Sequence, residues 1–263
     1  MKHIVQFSGG KDSTALVLWA KEQGWPEGFT AVFCDTGWES DETYAYIAYI
    51  NETQLGGALV TLSSEGMVPL VQRKGRVPST HARFCTQELK IKPFLTWLER
   101  VNDERTIYQG IRADESTSRR EAGSRVWSDD FDGWIVRPLF NWTADEVFAL
   151  HERHGVRVNP MYQMGASRVG CFPCIMVNHG ELRRMNDQFP AVWDRIALLE
   201  RTAGRSFFKP GYIPERCCSG FDTKSGVRFP TCDDVRAYVT QQDQPRLWLD
   251  EPTKCLSVYN LCE

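Results

Sequence analysis

The chain has 263 residues, enough for one full core or for one domain with an appendage, and its 42% apolar and 25% charged residues are the mix of a globular fold. No apolar run approaches the ~18 residues of a membrane span, Met1-Lys2-His3 leads straight into a strand rather than a signal peptide or anchor, and a net charge of −3 excludes a global nucleic-acid-binding field. Nine cysteines, an odd number without a secretory signal, point to metal or redox chemistry in a cytoplasmic protein and not to a disulfide scaffold.

In chain order, the apolar residues 3–7 read as a strand and 13–23 as a helix. Between them stands Ser8-Gly9-Gly10-Lys11-Asp12-Ser13. A glycine-bearing turn between strand and helix suits phosphate. Gly9 and Gly10 tolerate positive φ and close approach of an anion, the first helical turn offers free N–H groups and the positive dipole end, Lys11 adds a charge, and Ser8 and Ser13 add hydroxyls. The spacing matches neither a Walker A loop, which needs four residues between its glycines, nor a G-x-G-x-x-G fingerprint.

A second strand at 29–34 delivers Phe33-Cys34-Asp35-Thr36-Gly37-Trp38-Glu39-Ser40 to its carboxyl end, and a helix follows at 40–54. Asp35 can hold ribose or Mg²⁺ there, or it can cap the helix together with Ser40. A third strand is expected at 58–62. The basic loop Arg73-Lys74-Gly75-Arg76, followed by Arg83, either meets a phosphate or is simply solvated. Next come a helix at 87–101, a strand at 105–110, and Gln109-Gly110-Ile111-Arg112-Ala113-Asp114-Glu115-Ser116-Thr117-Ser118-Arg119, where Gly110 lets backbone close on a nucleobase and Arg112 and Arg119 present planar forks to phosphate or sulfate. A last strand is expected in 134–139. This alternation predicts an α/β fold, a parallel doubly wound sheet whose ligand lies beyond the carboxyl ends of the strands.

Beyond it the pattern changes. Thr143-Ala144-Asp145-Glu146 is a capping box opening a helix to about Arg153, further helices are expected near 179–187, 190–203 and from Thr231-Cys232-Asp233-Asp234 to about Gln241, and 204–230 has no periodicity. The expected division is a nucleotide-binding α/β domain at 1–140 and a helical and irregular extension at 141–263.

Cys85 follows Arg83 at a helix start, where a thiol gains thiolate character, and Gly170-Cys171-Phe172-Pro173-Cys174 supplies a Cys-x-x-Cys. A fourth ligand would come from Cys255, Cys262, Cys217 or Cys218, with Cys255 the first choice. Cys34 and Cys232 read as structural. The five histidines form no dense ligand motif.

Residues 8–13 resemble the pyrophosphate loop of the PP-loop ATP pyrophosphatases. The Asp35-Thr36-Gly37 segment, the Gly110-Ile111-Arg112 to Arg119 segment and Cys85-Thr86 with Leu89-Lys90 and Pro93 resemble their counterparts in the PAPS-reductase-like branch of the adenine nucleotide α-hydrolase superfamily. The resemblance spans residues 3–178. Within the branch, an intact loop combined with metal-type cysteines is most similar to the phosphorothioation sulfurtransferases. No Glu-Cys-Gly-Leu/Ile-His segment of the sulfonucleotide reductases occurs in these residues, and sulfate adenylyltransferase small subunits have no need of the cysteines. The resemblance implies cleavage of ATP to AMP and pyrophosphate, adenylating a substrate for iron–sulfur-dependent sulfur transfer. Lys11 and the loop amides would hold pyrophosphate, Asp12 or Asp35 would place Mg²⁺, and Arg112 would steady the α-phosphate. Ser8, Gly9, Gly10, Ser13, Gly110 and Arg119 complete the nucleotide contacts. Cys85, Cys171, Cys174 and Cys255 would carry a [4Fe–4S] cluster, or a structural zinc. A sulfonucleotide reductase and a nucleotide-binding redox sensor are the alternatives. A nucleotide is the implied substrate, and a sulfur-donor protein, a nucleic-acid acceptor and a homodimer stay open.

Overall fold

The computed structural model describes residues 1–25 and 27–241. Two compact units divide the chain by packing: Met1–Ser64 with Thr86–Cys171, and Glu65–Cys85 with the described part of Phe172–Thr253.

The first unit is built on a six-stranded sheet. Its strands are β1 (Lys2–Gln6), β2 (Thr30–Asp35), β3 (Val60–Ser63), β4 (Arg105–Tyr108), β5 (Arg125–Ser128) and β6 (Gly133–Val136), in the order β3-β2-β1-β4-β6-β5. Every pair is parallel except β5 with β6. The α/β sheet expected from the alternation is therefore present. The antiparallel edge strand β5 was not expected, because Arg-Val-Trp-Ser is short, largely exposed and shows no one-sided apolar pattern. The fourth strand also ends at Tyr108 instead of 110, which moves Gln109 and Gly110 into the loop.

Side chains alternate between the two faces, so consecutive residues of β1 feed different cores. Val5 packs with Ala15–Leu18 of α1 (Lys11–Glu22), with Tyr46, Ile47 and Ile50 of α2 (Asp41–Leu55), and with Val147 and Leu150 of α7 (Ala144–Arg153). Ile4 packs with Val32, Ile107 and Ile135, and with Phe94 and Leu98 of α5 (Lys92–Leu98). Because α1 is covered by the sheet on one side and α7 on the other, Leu16, Val17 and Leu18 are all fully buried. Truncating such a leucine to alanine costs about 2–5 kcal/mol.

Three further helical segments depart from the sequence pattern. The helix expected at 87–101 runs as α4 (Phe84–Thr86), a π-helical turn at Gln87–Ile91 and α5, and α6 (Thr117–Glu121) and α8 (Pro160–Gln163) are too short to show periodicity. The predicted capping box holds as expected: Thr143 Oγ1 accepts from Glu146 N at 3.2 Å, and Glu146 Oε2 accepts from Thr143 N at 2.7 Å.

The second unit gathers α3 (Met67–Lys74), α9 (His179–Gln188), α10 (Val192–Ala203) and α11 (Cys232–Thr240) with a hairpin of β7 (Gly220–Asp222) and β8 (Val227–Phe229). Trp193, Ile196 and Leu199 of α10 and Val235 and Val239 of α11 are buried. The hairpin lies in the stretch expected to be irregular. No helix among the described residues is long and apolar enough to cross a membrane.

Candidate nucleotide site

The strand order reverses direction between β1 and β4, and a crevice for ligand opens beyond their carboxyl ends at such a switch point. The loop of residues 8–13 leaves β1 there. Gly9 takes φ +80, and a Cβ on it would stand 2.9 Å from Ile47, whereas Gly10 does not use the positive φ expected of it but caps α1 in extended conformation at φ −86. Ser13 locks the turn. Its hydroxyl donates to Gly10 O at 3.1 Å while its oxygen accepts from Ser8 N at 3.2 Å and Ser8 Oγ at 3.1 Å, so the two serines staple the loop to itself.

Asp12 is fully buried and both its oxygens meet cations. Lys11 Nζ lies 2.7 Å from Oδ2, and Arg112 Nε lies 2.6 Å from Oδ1. Arg112 Nη1 donates to both oxygens of Asp114, at 2.7 and 2.8 Å, and to Trp142 O at 3.3 Å. Nη2 is then the one nitrogen of this guanidinium with no hydrogen bond among the described residues. Burial works against the charge of Arg112, yet Asp12, by charge and hydrogen bond, with Glu115 and Asp114, holds its pKa above the ordinary value.

Gly110 has a packing role beside α1. A Cβ there would stand 2.8 Å from Asp12 O and 3.1 Å from Ser13 N, so the missing side chain lets the β4 loop close on the first turn of α1. Arg119 is also not on the open side. It is buried, ion-paired with Glu115, and Glu115 Oε2 additionally accepts from Arg112 N at 2.9 Å, so Arg119 shapes the loop that carries Arg112.

At the end of β2, Ser40 caps α2 by accepting from Thr43 N at 3.2 Å, but Asp35 does not. Asp35 Oδ1 accepts from Gly37 N at 2.8 Å and from Tyr44 Oη at 2.7 Å, and Tyr44 Oη also lies 3.0 Å from Glu39 Oε2. Burial first, then the two carboxylates, push the Tyr44 phenol pKa up, so it stays a donor between them. Glu39 Oε1 accepts from Thr36 Oγ1 at 2.8 Å, and Thr36 Oγ1 lies 3.8 Å from Cys171 Sγ. Cys171 thus stands beside the Asp35–Glu39 turn. Asp35 Oδ2 makes no hydrogen bond among the described residues.

A set of contacts from residues 151–162 was not anticipated. His151 Nε2 lies 2.9 Å from Lys11 O, Asn159 Nδ2 donates to Gly9 O at 3.0 Å, and Tyr162 Oη accepts from Lys11 N at 3.1 Å. The Lys11 ammonium sits 5.2 Å from the Tyr162 ring centroid. Because Lys11 O only accepts, His151 carries its proton on Nε2, and burial holds its pKa below the ordinary value. The local signal for this clamp is Asn159-Pro160, a helix cap with Pro at the first helical position, in which Asn159 Oδ1 accepts from Met161 N at 3.0 Å.

On the opposite face, one polar residue from each of three adjacent strand ends continues the register of Ile4, Ile107 and Ile135. Arg137 Nε donates to Gln109 Oε1 at 3.1 Å, and Gln109 Nε2 donates to Gln6 Oε1 at 3.1 Å. Arg137 Nη1 also donates to the carbonyls of Ala122 and Gly123, each at 2.7 Å. Burial pulls the Arg137 guanidinium down to about 10.

The cysteines sort into two kinds. Cys34 donates to Lys90 O at 3.6 Å and Cys232 to Trp193 O at 3.5 Å, and burial pushes each thiol up to about 12, in keeping with structural roles. Cys218 is pushed up as well, first by burial, and donates to Pro214 O at 3.6 Å. Cys171 belongs to the sheet unit, Cys85 and Cys174 belong to the other, and Cys255 and Cys262 lie outside the described residues. Among the described residues no three His, Cys, Asp or Glu side chains gather closely enough to hold a metal ion. The fourth ligand of the expected set, Cys255, lies outside the described residues.

The model of the phosphoadenosine phosphosulfate reductase domain matches residues 2–177, which include every element of this site. The chain belongs to the phosphoadenosine phosphosulfate reductase family. An uncharacterized 37.8 kDa protein of Escherichia phage 186 is 35% identical, with 81% of each chain covered. An uncharacterized protein of Methanocaldococcus jannaschii is 30% identical over 73% of this chain and 40% of its own length. An adenosine 5′-phosphosulfate reductase of Salinibacter ruber is 28% identical over 56% of this chain and 58% of its own length. The chain thus spans well under two thirds of the latter two proteins. Among solved structures, the phosphoadenylyl-sulfate reductase of Candida auris in a phosphate complex superimposes with a TM-score of 0.53 at 13% identity, covering 66% of this chain and 83% of that one, and it shares the family fold.

Proposed function

We propose that this family member cleaves ATP between its α and β phosphates and adenylates a substrate in sulfur chemistry. The observation that carries the reading is the cluster at the first turn of α1, where two cations, Lys11 and Arg112, flank the buried Asp12 and Arg112 Nη2 stays unbonded among the described residues. Helix N-terminus, ammonium and guanidinium all favour a polyanion at one place.

In this mechanism an acceptor oxygen attacks the α-phosphorus, the P–O bond to the bridging oxygen breaks, and pyrophosphate leaves with the electron pair. The loop amides and Lys11 hold the leaving group. Asp12 orients both cations, and Arg112 Nη2 meets charge developing on the α-phosphate. Asp35 Oδ2 is a hard oxygen of the kind that binds Mg²⁺ beside substrate phosphates, and Mg²⁺ when bound would neutralise pyrophosphate charge. Glu39 and Tyr44 keep the Asp35 side chain in place.

Pyrophosphate release from ATP and Mg²⁺ tests the reading. The Lys11→Ala protein should lose about 10²-fold or more of the rate, and an unchanged rate would sink the proposal. A second reading, a sulfonucleotide reductase, is favoured by the family match and the Salinibacter ruber relative. It requires sulfite release from adenylyl sulfate or its 3′-phosphate with thioredoxin. A protein that binds ATP and yields neither product would be a nucleotide-responsive sensor. The cysteines are tested apart from these assays, by iron, acid-labile sulfide and zinc analysis of protein purified without oxygen.

A further inference from the structure

The edge strand β5 carries a face that complements itself. Among the described residues it pairs with β6 alone, and at the head of that ladder Arg137 N donates to Ser124 O at 2.8 Å. Residues of an antiparallel pair turn their backbone N–H and C=O groups alternately toward the partner strand and away from it. Ser124, Val126 and Ser128 therefore turn theirs to β6, while Arg125 and Trp127 turn theirs to the outer edge. The side chains of Arg125 and Trp127 share one face with Trp134, which stands opposite Trp127. The two indoles meet edge to face with centroids 5.6 Å apart, and the Arg125 guanidinium lies 4.1 Å from the Trp134 centroid. Trp127 Nε1 donates to Asp129 Oδ1 at 3.0 Å, so the strand has a cation at one end and a carboxylate at the other. Val126, Trp127 and Trp134 are 40%, 48% and 38% exposed.

We propose that β5 is a homodimer contact, the β5 edges of two copies pairing antiparallel about a twofold axis at Trp127. A twofold contact brings one patch together with itself, so the patch must be self-complementary. Pairing through the outward backbone groups sets outward residues opposite outward residues, and charge then selects the register. An axis at Arg125 would set two guanidinium groups opposite each other, which is destabilising. An axis at Val126 would set Arg125 opposite Trp127 and Asp129 opposite Gly123, with no ion pair. An axis at Trp127 sets Arg125 opposite the partner subunit's Asp129 at both ends, and opposite charges facing across the strands attract. The two Trp127 side chains then lie side by side on one face and cover each other's apolar surface. Single-stranded nucleic acid also stacks on exposed tryptophans, but the exposed carboxylates of Asp129, Asp130 and Asp132 at this end of the strand repel a polyanion.

Sedimentation velocity of the full chain, with Arg125→Asp, Asp129→Arg and the double reversal, tests this. The wild type should dimerise at micromolar concentration. Each single reversal should weaken the dimer about tenfold or more, because the axis turns one substitution into two like-charged pairs. The double reversal should restore it. A monomeric wild type overturns the proposal. So does a dimer unmoved by the single reversals, or a double reversal that melts like wild type and stays as weak as the singles. Hydrogen exchange of the wild type needs no variant: deuterium uptake in residues 124–129 should fall as protein concentration rises, and uptake independent of concentration overturns the contact. A monomer whose tryptophan fluorescence is quenched by a single-stranded oligonucleotide overturns it in favour of nucleic acid on the same face. None of these failures touches the ATP reading, which uses no residue of β5.

Discussion

Asp12 in the sheet unit and Glu200 in the helical unit are both carboxylates drawn out of water, and their surroundings are opposite. Asp12 is fully buried between the cations Lys11 and Arg112. Among the described residues Glu200 of α10 accepts from neutral donors alone: Phe207 N at 2.8 Å, Ser206 Oγ at 3.3 Å and Cys232 N at 3.0 Å. Burial therefore raises the Glu200 pKa above its ordinary value, against the pull of those hydrogen bonds. An acid that only has to tie the start of α11 to α10 needs nothing beyond backbone N–H groups. An acid that has to gather positive charge at a helix start needs cations, and Asp12 holds the Lys11 ammonium and the Arg112 guanidinium at one place while Asp114 shares only Nη1 of Arg112.

The contrast can be broken by mutation. The largest effect should come from Arg112→Ala, with pyrophosphate release from ATP falling about 10²–10³-fold, while Glu200→Gln leaves the rate unchanged. Equal losses in both would erase the distinction. Next is Asp12→Asn, which takes the buried carboxylate from Lys11 and leaves Arg112 ion-paired with Asp114 alone, and urea melts should show about 3 kcal/mol of lost stability. A loss below about 1 kcal/mol would mean that the triad is not coupled. Glu200→Gln replaces one acceptor oxygen by a donor facing backbone N–H and should cost about 1–3 kcal/mol in the same assay.

The smallest effect is in pH dependence, and it has opposite signs in the two units. Burial holds His151 below 6.5, so its contribution to stability is whole above 6.5 and drains away as pH falls through the lowered folded value. Glu200 is held above 4.5, so its contribution is whole below 4.5 and drains away as pH rises through the raised folded value. Melting series across pH for the wild type, His151→Gln and Glu200→Gln should show each variant losing its own slope and keeping the other.

The parts legible in the sequence were local ones. The apolar runs of β1, β2 and β6 and the Thr143 capping box each carry their signal within a few residues, as does the phosphate loop with its glycines and lysine. The Asp12–Arg112 pair joins positions 100 apart and becomes visible only once β1 and β4 are neighbours. The same holds for His151, Asn159 and Tyr162, whose contacts with the loop depend on where the chain returns after α7. At Gly110 the sequence shows a small residue after a strand, but that its missing side chain makes room for the backbone of Asp12 becomes visible only once β4 and α1 are neighbours.

The row of Arg137, Gln109 and Gln6 carries a last consequence. A guanidinium can only donate, so Gln109 must turn its oxygen to Arg137 and its nitrogen to Gln6, and Gln6 must answer with its oxygen. Two amides that could each face either way are thereby given one sense, running from the end of β6 to the strand that delivers the phosphate loop. A glutamine in place of Arg137 would be shorter, would give up the two carbonyls that Nη1 reaches, and could offer Gln109 either its oxygen or its nitrogen, so nothing at the end of β6 would fix the sense of the row.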